Sequence, residues 1–93
     1  MPSKKRAPTV VGPDGRERSV DADKRINEAF AETFRSPAGK KVLEYLRSIT
    51  INAVAGPEQS DAALRHLEGS RFVVGLIAAR YQQGVNQIVK IGD

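Results

Sequence analysis

The segment Ser60–Tyr81, SDAALRHLEGSRFVVGLIAARY, decides how this chain folds. Ser60 and Asp61 suit a helix N-cap, because a side-chain oxygen there accepts amide protons that the first turn leaves unpaired. Glu58 and Asp61 add negative charge at the positive end of the helix dipole. Leu64, Leu67, Arg71, Val74 and Ala78 recur at three- and four-residue spacing, and Leu67, Val74, Ile77 and Tyr81 make a second, overlapping row. A stripe that wide implies burial on more than one side. Composition alone also fits a buried strand, since Val73, Val74 and Ile77 are β-branched; length and the cap favour a helix. From Phe72 to Ala79 only Gly75 is not hydrophobic, yet that run is well short of the ~20 apolar residues of a membrane span. Gly69 and Gly75 each cost about 1 kcal/mol against Ala inside a helix. They read either as points where a neighbouring helix or subunit packs closely, or as tolerated local weakness. Gly84, after Gln82 and Gln83, reads as the left-handed stop at the helix end.

Upstream of this helix, Ala53 to Gln59 contains Gly56-Pro57 and reads as a connection. Pro37 to about Asn52 reads as a helix whose buried face is Val42, Leu43, Leu46 and Ile49, with Tyr45 at its margin. Ser36-Pro37 is a strong start signal for it, a cap followed by proline in the first turn. Asp21 to Arg35 reads as a further helix capped by Asp21 or Asp23. Ile26, Ala29, Phe30 and Phe34 lie on its inner face, with Lys24, Arg25, Glu28 and Glu32 in water. Downstream, residues 85–93 read as a tail carrying Val85, Ile88, Val89 and Ile91, which either continues a helix beyond Gly84 or packs on a partner. The expected fold is therefore all-α. A three-helix domain over residues 21–84 sits between an extended basic arm, residues 1–20, and a short C-terminal tail. Its core is Phe30, Phe34, Val42, Leu43, Leu46, Leu67, Val74 and Ile77, with Gly69 and Gly75 as the close-packing points.

Pro2, Pro8, Gly12, Pro13 and Gly15 deny the arm a regular helix. Thr9-Val10-Val11 before Gly12-Pro13-Asp14-Gly15 reads as an extended piece entering a turn. Lys4, Lys5, Arg6, Arg16 and Arg18 face only Asp14 and Glu17, so the arm holds +3 of the net +4. It reads as a contact to nucleic acid or an acidic protein surface, or as a solvated tail.

The 93 residues limit the chain to one domain, and the absence of cysteine excludes disulfides and thiolate metal sites. No apolar run follows Met1-Pro-Ser-Lys-Lys-Arg, which reads against a signal peptide and for a reducing compartment. A core drawn from about 65 residues rarely supplies more than about 3–5 kcal/mol. Association, as an oligomer or a subunit of an assembly, is the expected support. Catalysis is not expected. His66, the one histidine, has no partner at workable spacing: Glu68, two positions on, faces elsewhere on a helix. Glu28 and Glu32 share a face with cations beside them and no third ligand. The glycines of 12–15 lack the lysine and hydroxyl of a phosphate loop. Arg71, on the buried stripe, reads as paired to an acid of the first helix or of another subunit, in preference to a guanidinium reaching back to water. A helix-turn-helix is disfavoured, because the 60–81 helix is too apolar for a groove and the 37–52 helix has no early Asn or Gln.

Phe30-x-x-x-Phe34-x-x-x-x-Gly39-x-x-Val42-Leu43-x-x-Leu46 and His66-x-x-Gly69-x-Arg71-x-x-Val74-x-x-Ile77 together resemble a family of small helical bacteriophage proteins. That family is encoded among head-morphogenesis genes, near portal and capsid, in short-tailed phages. The resemblance spans about Phe30 to Arg80 and carries no catalytic residue, cofactor or metal. It implies a virion protein made in the host cytoplasm. The expected function is a non-enzymatic structural or assembly component that binds portal or capsid in multiple copies, with self-association and no membrane. The arm would lie along that partner or along DNA. The alternative is a small DNA-binding accessory protein in packaging or regulation.

Overall fold

A computed structural model describes residues 8–92, with side chains through residue 89. It is mostly helical but not all-α, which corrects the expected fold class. A two-stranded antiparallel hairpin, β1 (Thr9–Val11) and β2 (Glu17–Ser19), precedes α1 (Val20–Phe34), α2 (Pro37–Ser48) and α3 (Asp61–Gly92). Thr9 faces Ser19 and Val11 faces Glu17 across the ladder. The described part of the arm is thus a hairpin rather than an extended strand. Gly12 and Arg16 close it through an amide-to-carbonyl bond of 3.0 Å, and Gly15 takes the turn at a φ of 82°, which a side chain would strain.

The helix starts follow the local chemistry. Ser36 Oγ accepts from the Gly39 amide with Pro37 in the first turn, and Ser60 Oγ accepts from the Ala63 amide. At α1 the cap is Ser19, which accepts from the Ala22 amide at 3.1 Å, rather than either aspartate. Asp21 remains in the first turn, where its charge suits the dipole, while Asp23 turns inward and is buried.

Two helix ends differ from expectation. α2 stops at Ser48 rather than near Asn52. The Thr50 hydroxyl donates back to the Leu46 carbonyl, and Arg71 donates to the carbonyls of Thr50 (3.0 Å) and Ala53 (2.5 Å). Those main-chain acceptors are satisfied by a side chain of α3, so the chain turns without further helix. Arg71 also meets Glu68 of its own helix at 2.7 Å. It therefore clamps the α2–α3 connection instead of pairing with an acid of α1. α3 runs straight through Gly84 to Gly92, about 48 Å at 1.5 Å per residue, and the expected tail is its last turns.

α1 lies chiefly against the C-terminal half of α3, while α2 has fewer neighbours on either helix. The molecule measures 62 × 36 × 15 Å, far thinner in one direction than in the other two. Its radius of gyration, 17.1 Å, exceeds the ~12 Å of a compact chain this long. In one layer every helix keeps a face in water, so the buried set is small. Ala31, Leu43 and Val74 are its apolar members, with Asp23, Asn27, Thr50 and Arg80 beside them. Phe30, Phe34, Leu46, Leu67 and Ile77 are half-buried. Phe30 and Phe34 stack with centroids 6.3 Å apart. Val42, expected inside, is 51% exposed, and Ile49 is 50% exposed. The 3.6-residue period of α2 turns Leu43 to the core and leaves these two outside, because no second layer covers them.

Candidate functional site

The first constellation is a buried polar centre between α1 and α3. The Arg80 guanidinium, 2% exposed, donates to Asp23 Oδ1 at 2.6 Å and to Asn27 Oδ1 at 2.9 Å. Asn27 donates in turn to Gln87 Oε1 at 2.7 Å, and Gln87 donates to the Lys24 carbonyl at 3.3 Å. Asp23 and Asn27 are four apart and share the inner face with Ala31, one helical turn each. No buried side-chain polar atom among the described residues lacks a partner, as a buried charge requires. The hairpin lies over this centre: a Cβ added to Gly12 would sit 2.5 Å from Arg80 Nη2 and 3.0 Å from Asp23 Oδ1. The absent side chain lets the β1–β2 turn close over the pair. The sequence singles out Arg80 only as a charge nine residues after Arg71 on an otherwise apolar helix, reads Asp23 as a cap, and gives no sign of Asn27. The signal was Arg80 following an apolar run, which demands an acid somewhere, but nothing local points 57 residues back to Asp23.

The hairpin has its own charge pair. Arg18 donates to both carboxylate oxygens of Asp14, at 3.0 and 2.5 Å, and the Arg16 amide donates to Asp14 Oδ1 at 3.0 Å. The Arg18 bond above all, then the Arg16 amide, holds the Asp14 carboxyl well below the usual carboxylate range. The same bond chiefly raises Arg18. A depressed folded value means that this stabilisation is complete above the ordinary aspartate pKa and is lost as pH falls from there towards the folded value. The Arg16 amide resonance should therefore keep its bonded shift through the ordinary aspartate range and move only in stronger acid. A midpoint near 3.9, the unperturbed value, would contradict the pairing.

The second constellation is apolar. Between α2 and α3 runs an open groove of about 580 Å³, lined by Leu46, Ile49, Thr50, Arg65, His66, Gly69, Ser70, Val73 and Val74. Beside it α2 exposes Val42 and Tyr45 (62%), and on α3 Val73 is 54% exposed. Val42, Tyr45 and Ile49 fall at i, i+3 and i+7, a single stripe along the helix. Residues expected for core and close packing thus border a surface. Gly69 and Gly75 have open space beside them, with nothing within 4 Å of an added Cβ, so neither packs against another helix of this chain.

Of the expected arm residues, Lys4, Lys5 and Arg6 lie outside the described residues. Arg16 is exposed, and Arg18 is committed to Asp14. The arm cations and the apolar groove are separate features. His66 is exposed at the groove edge, and Glu28 and Glu32 are exposed on α1. Among the described residues no group of three or more His, Cys, Asp or Glu could hold a metal, and no helix is long and apolar enough to cross a membrane.

A family model described as Bbp19-like phage protein matches residues 30–86, more than half of the chain, including the whole groove and Arg80. No curated protein and no solved structure matches it.

Proposed function

The chain belongs to the Bbp19-like phage protein family, and on that premise we propose that it is a non-enzymatic virion structural or assembly protein of a short-tailed phage. It is made in the host cytoplasm and binds a larger head component, portal or capsid, in multiple copies. The observation that carries this reading is the apolar face of α2 and α3. Val42, Tyr45, Ile49 and Val73 stand in water on a chain too thin to cover them. Contiguous apolar surface of this kind on a soluble protein marks a contact with another macromolecule. A small core gains by such docking, because a partner that binds only the folded form stabilises it by mass action.

The alternative is a DNA-binding accessory protein, for which the arm cations Lys4, Lys5 and Arg6 lie outside the described residues. Arg18 is neutralised by Asp14, so among the described arm residues Arg16 is the one exposed cation without a carboxylate partner. Binding to DNA through counterion release would also need several phosphate contacts, each weakening with salt at a log–log slope of about −0.9.

Light scattering on the full chain mixed with portal, and separately with capsid protein, tests the proposal. The expected result is a complex holding several copies of the chain per assembly, stable at physiological salt. A chain that joins neither protein but binds duplex DNA with a steep salt slope would replace this reading with the alternative.

A further inference from the structure

We propose that the α2–α3 groove receives an acidic amphipathic helix supplied by the partner. The inference rests on the head-protein reading above and adds the chemistry of the contact. The floor is apolar, formed by Leu46, Ile49, Val73 and Val74. Its volume is about 580 Å³. Gly69 in the groove wall carries no side chain and has nothing near it, so an incoming backbone has room to come close. This is the geometry in which a helix lays anchors at i, i+3/i+4 and i+7 into a cleft.

The charges around the groove select the occupant. Arg65 and His66 line one edge, and no acid lines it. At 100° per residue along α2, Lys41 falls at the far margin of the Val42–Tyr45–Ile49 stripe, and it is exposed. Of the nearby acids, Glu44 lines a different depression with Lys40, Leu43 and Arg47, the Glu68 carboxylate is held by Arg71, and Asp61, one turn before Arg65, lies outside the groove lining. An apolar groove with Arg65 in its lining, Lys41 at the margin of the adjoining stripe and no lining acid complements a helix with an apolar stripe and flanking carboxylates. A second copy of this chain fits worse. Groove against groove would gather Arg65 and Lys41 of both copies in one interface with no lining acid to offset them, and the half-buried Phe30 and Phe34 of the acid-bearing α1 are not free to serve as anchors.

The probe is a fluorescein-labelled synthetic helix of about 18 residues, five turns, with leucine anchors and flanking glutamates. Its counterpart carries lysine in place of every glutamate. The full chain is expected to bind the glutamate peptide at least about tenfold more tightly than the lysine peptide, with an affinity that falls as salt is added. Arg65→Glu with Lys41→Glu should reverse that preference. Gly69→Leu should remove binding while leaving the circular dichroism melt no lower than that of the parent chain. Equal affinity for the two peptides, binding that survives Gly69→Leu, a preference for phosphatidylglycerol vesicles, or dimerisation through this face would each overturn the proposal. The two readings fail separately. A head-protein complex with no glutamate-peptide binding removes only the acidic helix. Peptide binding with no head-protein complex removes only the head partner.

Discussion

Arg80→Ala is expected to leave the chain largely unfolded at room temperature. Arg80 is the largest fully buried side chain among the described residues, and two side-chain acceptors depend on its guanidinium. Removing it strands the Asp23 carboxylate and the Asn27 carbonyl oxygen in a site closed by α1, α3 and the Gly12 turn. Breaking a buried pair from one side costs about 3–5 kcal/mol, since the remaining charge stays desolvated. That is as much as a core of this size supplies in total, about 3–5 kcal/mol. With a melting shift of roughly 4–8 °C per kcal/mol for a domain this small, the transition should fall by well over 10 °C. Asp23→Leu should behave alike. The double change Asp23→Leu with Arg80→Met should be less damaging than the sum of the singles, because no lone charge remains. A single Arg80→Ala chain melting within about 3 °C of the parent would mean that the centre is open to water.

Gly84→Ala should destabilise the chain, whereas Gly69→Ala should stabilise it, although both replace glycine by alanine inside the same helix. At an unconstrained site the change gains up to about 1 kcal/mol of helix propensity. Gly69 is such a site, with nothing within 4 Å of an added Cβ. At Gly84 the same atom would overlap the Asn27 carbonyl and come within 2.7 Å of Ala31 Cβ. The crossing of α1 and α3 would have to widen there, and forced overpacking costs about 1–3 kcal/mol. Asn27 also ties Arg80 and Gln87, so the displacement would loosen the polar centre. Thermal melts of the two variants should move in opposite directions. Two shifts of the same sign would mean that α3 does not cross α1 at Gly84.

The same residue explains where the sequence was legible and where it was not. Ser36-Pro37 and Ser60 announce their helices because a cap is a local event, settled within four residues. Gly84 announces a stop with equal clarity, yet α3 continues, because its lack of a side chain is used for the crossing with α1. Local chemistry cannot separate these two uses of glycine. The hairpin was half visible: Thr9–Val11 and the turn were read, but Glu-Arg-Ser has no apolar alternation to mark the second strand. In α2 the apolar positions were recognised and their direction was not. Leu43 is inside and Val42 and Ile49 are outside, a distinction that depends on how many layers the molecule has. Gly69 and Gly75 read either as packing points or as tolerated weakness, and within the chain both face open space. Arg71 was expected to need a partner, but the sequence does not reveal that main-chain carbonyls at the end of α2 provide it.

On the proposed function, α1, the hairpin and the C-terminal half of α3 hold the fold, and the α2–α3 face is the docking surface. Hydrogen–deuterium exchange on the chain alone and in the presence of portal or capsid protein tests this division most directly. New protection is expected to be confined to residues 42–49 and 65–74, with exchange in the hairpin and along α1 unchanged. New protection over the hairpin or α1 with none at α2, or no change with either head protein, would contradict it.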